Sequence, residues 1–316
     1  MQGVEGDTGW RKAIPRARDR MQSRILVGVV GTLLVLETVS VLRQISFFWG
    51  DRNVAELLTF AKIMGISVAF ACLVGALRAA TLGGALSGGM ICLILLGGTV
   101  SSRYTILRSG LAPLILLFVL TFLSTRAGRR QKAKAGLAED RRGRSAAQVI
   151  ANLATAALCV SPLAFVLMMR GEICCGAGYY KTSVYPAMMV MCLAALVEAT
   201  ADTVSSEIGQ AFGGVPVMML GLRRVESGTD GAITLLGSGA GIVAGALIAG
   251  AGVWALRLRI LDGVIAAVAG ICGLFFDSFL GATVERRGWI GNDLVNFSST
   301  VFAAMLAAGV YRFFAL

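Results

Sequence analysis

Apolar runs of about 20 residues recur along almost the whole chain, and they constrain its fold more than any other feature. A helix needs about 20 apolar residues to cross a hydrocarbon core about 30 Å thick. Lipid offers backbone groups no hydrogen-bonding partner, so runs of this length must be helices. Only 15% of the residues are charged and 56% are hydrophobic, whereas soluble domains have about 25% charged residues. The sequence therefore predicts an integral membrane protein of the all-α class, a polytopic transmembrane helix bundle with no soluble domain.

The runs predict about nine spans, within a range of about eight to ten. Whether the second, which contains Lys62, and the glycine-rich third cross fully stays open. We expect residues 1–24 to be a basic cytoplasmic segment, and residues 25–316 to be one transmembrane domain with a basic cytoplasmic loop at 126–144. The predicted helices lie near residues 25–45, 54–77, 81–100, 109–125, 146–168, 184–212, 230–256, 261–284 and 296–315.

The formal net charge of +11 is explained by membrane topology. With the amino terminus inside, about 19 Lys and Arg residues fall on cytoplasmic segments and about 9 outside, as the positive-inside rule requires. The charge therefore predicts a multi-pass protein of a bacterial inner membrane or its equivalent, with a cytoplasmic amino terminus, and not a nucleic-acid-binding protein. A polybasic loop could also hold phosphates or anionic headgroups.

The chain has seven cysteines without C-x-x-C spacing and no histidine. The cysteines are interpreted mainly as small apolar fillers, with Cys174 and Cys175 on a predicted outer loop as the alternative redox-sensitive pair. The absence of histidine excludes histidine triads, histidine–zinc sites and histidine general bases.

Carboxylates stand at the end of one predicted span, in "EATADTVSSEIG" at 198–209. On a helix, Glu198, Asp202 and Ser206 share one stripe, and Glu207 lies on the neighbouring one. A charge at the bilayer centre costs about 2.5–3.5 kcal/mol on the insertion scale. The stripe predicts either a functional site or, as the plainer alternative, neutral hydrogen-bonded carboxyls that hold helices together.

A second acidic stripe follows later in the chain, where Gly270, Gly273, Asp277, Gly281 and Glu285 repeat at helical spacing. Because small residues permit close helix approach, Asp277 is expected on a packed face, away from lipid. The preceding "GSGAGIVAG" has two overlapping G-x-x-x-G steps, which favour helix packing over nucleotide binding.

The predicted topology brings four polar segments to one cytoplasmic rim. They are the start of the Arg144 helix, the end of the Asp202 helix, the "GLRRVESGTDG" loop and the loop from 285 to 296. Carboxylate, hydroxyl and amide oxygens are ligands that suit Mg²⁺. Backbone N–H groups at the start of a helix, with arginines nearby, attract phosphate, and we expect the turn at Gly228 and Thr229 to open the next helix.

Phosphoryl transfer uses Mg²⁺ held by carboxylates beside phosphate held by basic residues. The predicted rim carries both kinds of residue. At a membrane surface, a lipid phosphate is a natural acceptor.

Four motifs then resemble one family in series: "ADTVSSEIG" at 201–209, "RRVESGTDGAIT" at 223–234, "FFDSFLGAT" at 275–283 and "NDLVN" at 292–296. They are similar to those of the uncharacterised integral membrane protein family 92, also named for transmembrane protein 19, which includes phytyl-phosphate kinase. The resemblance implies a polytopic enzyme that passes a phosphoryl group from a nucleoside triphosphate to an isoprenyl monophosphate. More loosely, the chain looks like dolichol and phytol kinases, which use CTP.

The resemblance also implies site residues. The catalytic set is Asp202, Glu207 and Asp277, and the metal ligands are Asp202, Asp277, Glu207 and Ser206. The phosphate- and nucleotide-binding residues that match the family are Arg144, Gln148, Asn152, Arg224, Gly228, Thr229, Asn292 and Asn296. The kinase hypothesis adds Lys132 and Arg141 of the basic loop to this set, with Lys134 and Arg142 as further candidates. Asp230 and Glu285 depart from the family pattern and add negative charge near the expected phosphates, which leaves the substrate more open than the fold.

The leading hypothesis is thus a Mg²⁺-dependent kinase of isoprenyl phosphates that uses ATP or CTP. Its expected partners are an isoprenyl phosphate lipid, the nucleoside triphosphate and membrane lipids, with no nucleic acid. One alternative is a CTP-dependent polyprenol kinase, which would need a general base such as Asp202 or Glu207. The other is a transporter of an anionic or lipid substrate, for which the sequence shows no convincing internal repeat.

Overall fold

The computed structural model describes residues 14–47, 54–100, 105–134, 136–137, 143–173 and 184–315. These ranges form helices almost throughout, which confirms the all-α class. In chain order the elements are α1 Arg16–Phe47, α2 Val54–Ala76, α3 Leu82–Thr99, α4 Leu111–Arg126, α5 Arg129–Lys134, α6 Ala146–Cys159, α7 Pro162–Ile173, α8 Val184–Phe212, β1 Val217–Met218, β2 Ala232–Ile233, α9 Leu235–Leu256, α10 Ile260–Leu280 with a π-helical turn Gly281–Glu285, and α11 Asn292–Ala315.

Seven helices of the described chain are long and apolar enough to cross a membrane, and α6 with α7 adds an eighth as a span bent by 51°. The seven include α2 and α3, whose crossing the sequence left open. Helix α4, an apolar helix of 16 residues, is shorter than these and corresponds to the predicted span at 109–125. The protein is therefore a multi-pass membrane protein.

Helix α8 is the centre of the bundle. In its most apolar stretch 83% of the residues are buried, against 61% or less in the other six long spans. Glycines let α9 and α10 approach it: a Cβ on Gly241 would lie 2.5 Å from the carbonyl oxygen of Ala201, and one on Gly270 2.4 Å from Val197. The predicted packing role of these glycine stripes is confirmed.

A second group of helices, α2, α3, α4 and α6, packs beside α8, with α1 against α3 and α6. The buried hydroxyls of Thr155 and Thr300, 2.9 Å apart, join α6 to α11. Interhelical hydrogen bonds of this kind replace the hydrophobic driving force that lipid does not supply.

The helix boundaries differ from the predicted ones in three places. Helix α1 begins at Arg16 instead of near residue 25, and its first turns bond the chain before α11, where Gln22 donates to the carbonyl oxygen of Trp289 at 2.8 Å. The predicted fifth span breaks before Pro162, because proline suits the first turn of a helix but not its interior. The helix predicted at 230–256 starts later than expected, because Ala232–Ile233 forms β2 of a short hairpin and α9 begins only at Leu235, capped by Thr234.

Candidate functional site

Two aspartates from separate helices meet where α8 and α10 run side by side. The carboxylates of Asp202 and Asp277 are close enough to repel each other, and the charge of Arg144 on the loop before α6 acts favourably on Asp202. A π-helical turn, Gly281–Glu285, begins one helical turn after Asp277, and such turns are frequent at functional sites. The structure thus brings together the two aspartates and the arginine that the sequence assigned to one rim.

Glu198 is a third carboxylate at this place, one helical turn before Asp202. Its electrostatic partners are Asp202 and Asp277. The residue is 1% exposed, and its Oε2 has no hydrogen-bond partner. Gly273 makes room for it, because a Cβ there would lie 2.6 Å from the Glu198 Cγ. We call Glu198, Asp202 and Asp277 the acidic site; the sequence-based ligand set left Glu198 out.

Polar side chains of α11 and α6 hold Asp277. The Ser299 hydroxyl donates to Asp277 Oδ2 at 3.2 Å. With the Asn296 amide oriented so that its nitrogen faces acceptors, that nitrogen donates to Asp277 Oδ2 at 3.3 Å and its oxygen accepts from Asn152 at 3.3 Å. The predicted residues Asn152 and Asn296 therefore meet at Asp277. Sequence reasoning missed Ser299, although its position three residues after Asn296 places both on one helix face.

Asn292, the first residue of α11, lies at the edge of this network. Its side chain is exposed, and its backbone carbonyl accepts from the reoriented Asn296 amide at 3.2 Å. Its contribution in the structure is thus made by the backbone, and the phosphate-binding role of its side chain stays a prediction.

Lys132 and Glu207, both predicted site residues, form an ion pair with each other. Lys132 is 2% exposed and also donates to the backbone carbonyl of Thr125 at 2.8 Å, while the Thr125 hydroxyl donates to the other carboxylate oxygen of Glu207 at 3.3 Å. The pair fastens α5 to α4 and α8. Both charges are already compensated, so metal binding by Glu207 and phosphate binding by Lys132 stay predictions.

The backbone around Arg144 is fixed to the turn between α2 and α3. The Arg144 N–H donates to the Ala79 carbonyl at 2.9 Å, and the Arg144 carbonyl accepts from Thr81 at 3.0 Å. Gln148 closes a capping box, in which its side-chain oxygen accepts from the Ser145 N–H at 2.8 Å. Gln148 therefore helps to cap the start of α6 and so to position Arg144. Its side-chain oxygen is already occupied by the bond from Ser145.

The β-hairpin does not form the helix start that the sequence suggested around Gly228. Thr229 closes a turn on the Glu226 carbonyl with its N–H and its hydroxyl, and the chain then enters β2. The interpretation of this turn as the opening of α9 is wrong, because Gly231, at φ +72°, packs its backbone on the π-helical turn instead. Arg224 is exposed on the hairpin. Phosphate binding by Arg224, Gly228 and Thr229 stays a prediction.

The remaining predicted site residues are either exposed or outside the part of the chain that the structure describes. Ser206 is exposed, and no hydrogen bond ties it to the acidic site. Arg141 and Arg142 lie outside the described residues, as do Cys174 and Cys175, and the described part of Lys134 is its backbone at the end of α5.

A cavity of about 600 Å³ lies beside the acidic site, between α2, α3, α4 and α6. Its walls combine apolar side chains with polar ones, and Arg78, Arg126, Arg129 and Arg144 line it together with Lys132. Asn152 also lines it. Arg144 and Asn152 therefore belong both to the cavity and to the surroundings of the two aspartates.

The acidic site could hold a metal ion only together with other ligands. In the described part of the chain, no three His, Cys, Asp or Glu side chains are arranged to hold a metal ion by themselves. Mg²⁺, however, is usually bound by one or two carboxylates, with waters and substrate phosphates in the other positions. The unpartnered buried oxygen of Glu198, beside Asp202 and Asp277, is costly unless a cation or donor compensates it. The residues therefore fit Mg²⁺ bound together with phosphate.

Comparison with known proteins places the chain in a family. The family described as "Integral membrane protein DUF92" matches residues 65–304. The chain belongs to this family. The matched range contains every residue of the predicted site, whereas α1 precedes it.

Three known proteins are similar to parts of this chain. An uncharacterized membrane protein, sll0875, of Synechocystis is 29% identical over 204 residues, which are 64% of this chain and 73% of that protein. The uncharacterized membrane protein MJ0933 of Methanocaldococcus jannaschii is 34% identical over 38% of this chain and 50% of its own. Protein VTE6, chloroplastic, of Arabidopsis thaliana is 25% identical over 72% of this chain and 65% of its own. No solved structure matches the chain.

Proposed function

We propose that this protein is a membrane phosphotransferase that uses a nucleoside triphosphate and Mg²⁺ to convert an isoprenyl monophosphate to the diphosphate. One observation carries the proposal. Asp202 and Asp277, from two separate helices, lie close together near Arg144, which also lines the basic part of a cavity with an apolar part. The site therefore combines carboxylates that could bind a cation with a guanidinium that could bind phosphate. The apolar part of the cavity, which could hold a lipid tail, lies beside them.

Asp202 and Asp277 would hold Mg²⁺, with Glu198 as a third oxygen donor. When bound, Mg²⁺ neutralises charge on the phosphates during transfer. Ser299 and Asn296 keep Asp277 oriented through hydrogen bonds to Oδ2, and preorganised donors of this kind cost no rearrangement during reaction.

Arg144 would bind the phosphates, because its planar guanidinium can donate two parallel hydrogen bonds to one phosphate group. Its clamped backbone limits how far it can move. A lipid monophosphate is already an anionic nucleophile, so this reaction needs positioning and charge neutralisation and no strong base.

Family membership supports a shared chemistry. The similarity to Protein VTE6 and the motif resemblance to phytyl-phosphate kinase point to the same acceptor class. Because the identity to VTE6 is 25%, the acceptor class is an inference from this similarity. The short basic helix α5 packs against α8, the helix that carries Asp202, and by the positive-inside rule it faces the cytoplasm, where nucleotides are present.

The test is turnover by purified protein with radiolabelled ATP or CTP, Mg²⁺ and phytyl or farnesyl monophosphate. We expect labelled lipid diphosphate, and a fall of at least about a hundredfold in Asp202→Asn and in Asp277→Asn, as when an essential electrostatic group is removed. Asp262→Asn is the matched control, since Asp262 lies on α10 but pairs with Arg259 near the other end of that helix. Absence of labelled diphosphate with every acceptor would reject the proposal; labelling of phytol but not of its phosphate would favour the alcohol kinase.

Transport is the second candidate, because the α6–α7 span is broken and a buried carboxylate faces the break. The Leu163 N–H at the start of α7 donates to Glu37 Oε2 at 3.4 Å, and Glu37 is 4% exposed. Broken helices are common at transporter sites. Proteoliposomes that move labelled isoprenyl phosphate across the bilayer without nucleotide turnover, and lose this in Glu37→Gln, would favour transport.

A further inference from the structure

The cavity between α2, α3, α4 and α6 has one apolar part and one basic part. Its volume of about 600 Å³ is within the range of about 300–1,000 Å³ of small-molecule sites. Aromatic rings form part of the wall: Phe118 stacks on Phe122 with centroids 5.5 Å apart and meets Phe70 edge-on at 5.8 Å. Such rings keep a fixed shape.

The basic part is the end at which α2 and α4 finish and α6 starts. Arg78, Arg126, Arg129 and Arg144 line it, and no Asp or Glu is among the described lining residues. Arg126 is held in place, since it donates to the Leu77 carbonyl at 3.2 Å and lies 4.0 Å above the Phe122 ring. The Lys132 charge is compensated by Glu207, so the net positive charge comes from the arginines.

Arg78 has a backbone conformation that is unusual for an arginine. It ends α2 at φ +52°, in the left-handed region, where helices normally use glycine. Residues in strained conformations are concentrated at binding and active sites. A glycine would fit the backbone better, but it would remove a positive charge from the cavity.

We propose that this cavity binds a single-chain lipid monophosphate, with its tail between Phe70, Leu117 and Phe118 and its phosphate among the arginines. The inference rests on the proposed function, because it locates the acceptor of that reaction. Arg144 and Asn152 line the cavity and also reach Asp202 and Asn296, so a phosphate at the basic end lies next to the acidic site.

Head and tail contribute differently to such binding. A tail that leaves lipid for an apolar cavity gains little, since both surroundings are hydrocarbon. Affinity then comes mainly from hydrogen bonds between charged guanidinium and phosphate groups. The walls select the length and shape of the tail by steric fit, and Gly88 is one of the residues that form them.

Gly88 lines the cavity, and a Cβ there would lie 3.6 Å from a Phe70 ring carbon, an ordinary contact. Because Gly88 lines the cavity, the longer side chain in Gly88→Leu would extend into it and shorten the space for the tail. Gly65→Leu is the matched control, because that position on α2 does not line the cavity and a Cβ there meets no atom within 4 Å. We expect Gly88→Leu to weaken binding of phytyl monophosphate at least about tenfold, to affect the shorter geranyl monophosphate less, and Gly65→Leu to change neither.

Arg78→Gly tests the head group. Arg257 provides the control, because it also ends a helix in the left-handed region, at φ +58°, but at the far end of α9 and outside the cavity. Both substitutions to glycine relieve the same backbone strain. Only Arg78→Gly should weaken the binding of phytyl monophosphate, by about five- to tenfold, because it removes one charged hydrogen-bonding group.

Binding is measured in nanodiscs with radiolabelled phytyl monophosphate and without nucleotide or Mg²⁺, so it does not depend on turnover. Phytol, with no phosphate, should bind at least about tenfold more weakly, and equimolar inorganic phosphate should not displace the lipid. Equal binding of phytol, or unchanged binding in both Gly88→Leu and Arg78→Gly, would overturn the proposal. Binding that follows these expectations without any turnover would uphold this site and reject the kinase reaction.

A photoreactive group at the tail end of the lipid monophosphate gives a readout in the unsubstituted protein. Labelling should fall on α2, α3, α4 or α6. Labelling confined to α9, α10 or α11 would place the tail elsewhere and contradict the site.

Discussion

At the scale of single residues, the Lys132–Glu207 ion pair has a structural role that the sequence did not reveal. Lys132 is 2% exposed and its side-chain nitrogen reaches two backbone carbonyls of α4 as well as Glu207. Removing one partner of a buried pair leaves the other charge uncompensated. The pair therefore holds the short helix α5 against the bundle.

Lys132→Met should lower the free energy of unfolding by about 3 kcal/mol, the usual cost of breaking a buried pair. Adding Glu207→Gln should recover part of this loss, because no charge is then left unpaired. Arg130→Met, at an exposed arginine of α5 outside the spans, is the control and should change the free energy of unfolding by no more than about 0.5 kcal/mol. Thermal unfolding in detergent measures all three; a double variant less stable than Lys132→Met alone would contradict the role.

The sequence predicted the meeting of Asp202 and Asp277 because helical spacing and topology together fix which face and which end each one occupies. It could not predict the partner of Glu207. Eight Lys and Arg residues lie between 124 and 145, and nothing in the pattern distinguishes Lys132 from its neighbours. Glu198 was visible as part of the same stripe, but its unpartnered oxygen depends on how closely Gly273 lets α10 approach.

At the scale of elements, the existence of the spans was predictable, because lipid leaves a run of apolar residues few alternatives to a helix, but the start of α1 and the break between α6 and α7 were not. The β-hairpin was not predictable. It pairs only two residues on each strand, and its stability depends on tertiary packing. A Cβ on Gly231 would lie 2.1 Å from the Ala282 nitrogen of the π-helical turn.

Gly231→Ala should therefore be strongly destabilising, by about 2 kcal/mol or more, since it adds a steric clash to the left-handed strain. Gly221→Ala is matched to it, with φ +84° on the same segment but no atom within 4 Å of the added Cβ. Gly221→Ala should lower the free energy of unfolding only by the cost of the left-handed conformation, about 1 kcal/mol. Equal shifts in thermal unfolding would show that the hairpin does not pack on the π-helical turn.

At the scale of the whole molecule, the bundle separates a basic end, with the acidic site and the hairpin, from the opposite end at which α10 begins. The positive-inside rule predicts that the basic end faces the cytoplasm. Helix α1, which precedes the family match, reaches this same end: Arg18 donates to the Gly288 carbonyl at 3.0 Å.

Cysteine labelling tests this orientation. In a variant with Cys174 and Cys175 replaced by serine, Arg223→Cys on the exposed hairpin should react with a membrane-impermeant maleimide only in permeabilised cells. Ile260→Cys, at the exposed start of α10, should react in intact cells. The reverse pattern would put the acidic site on the side without nucleotides and contradict the proposed reaction.

The central claim is that carboxylates of α8 and α10 share one divalent cation, and Mn²⁺ titration followed by electron paramagnetic resonance tests it most directly. Asp202→Asn and Asp277→Asn should each weaken Mn²⁺ binding at least about tenfold, and the double variant should bind no more weakly than the weaker single one, because residues acting at one site are not additive. Fully additive losses, or binding unchanged in both single variants, would show that the two aspartates do not form one metal site.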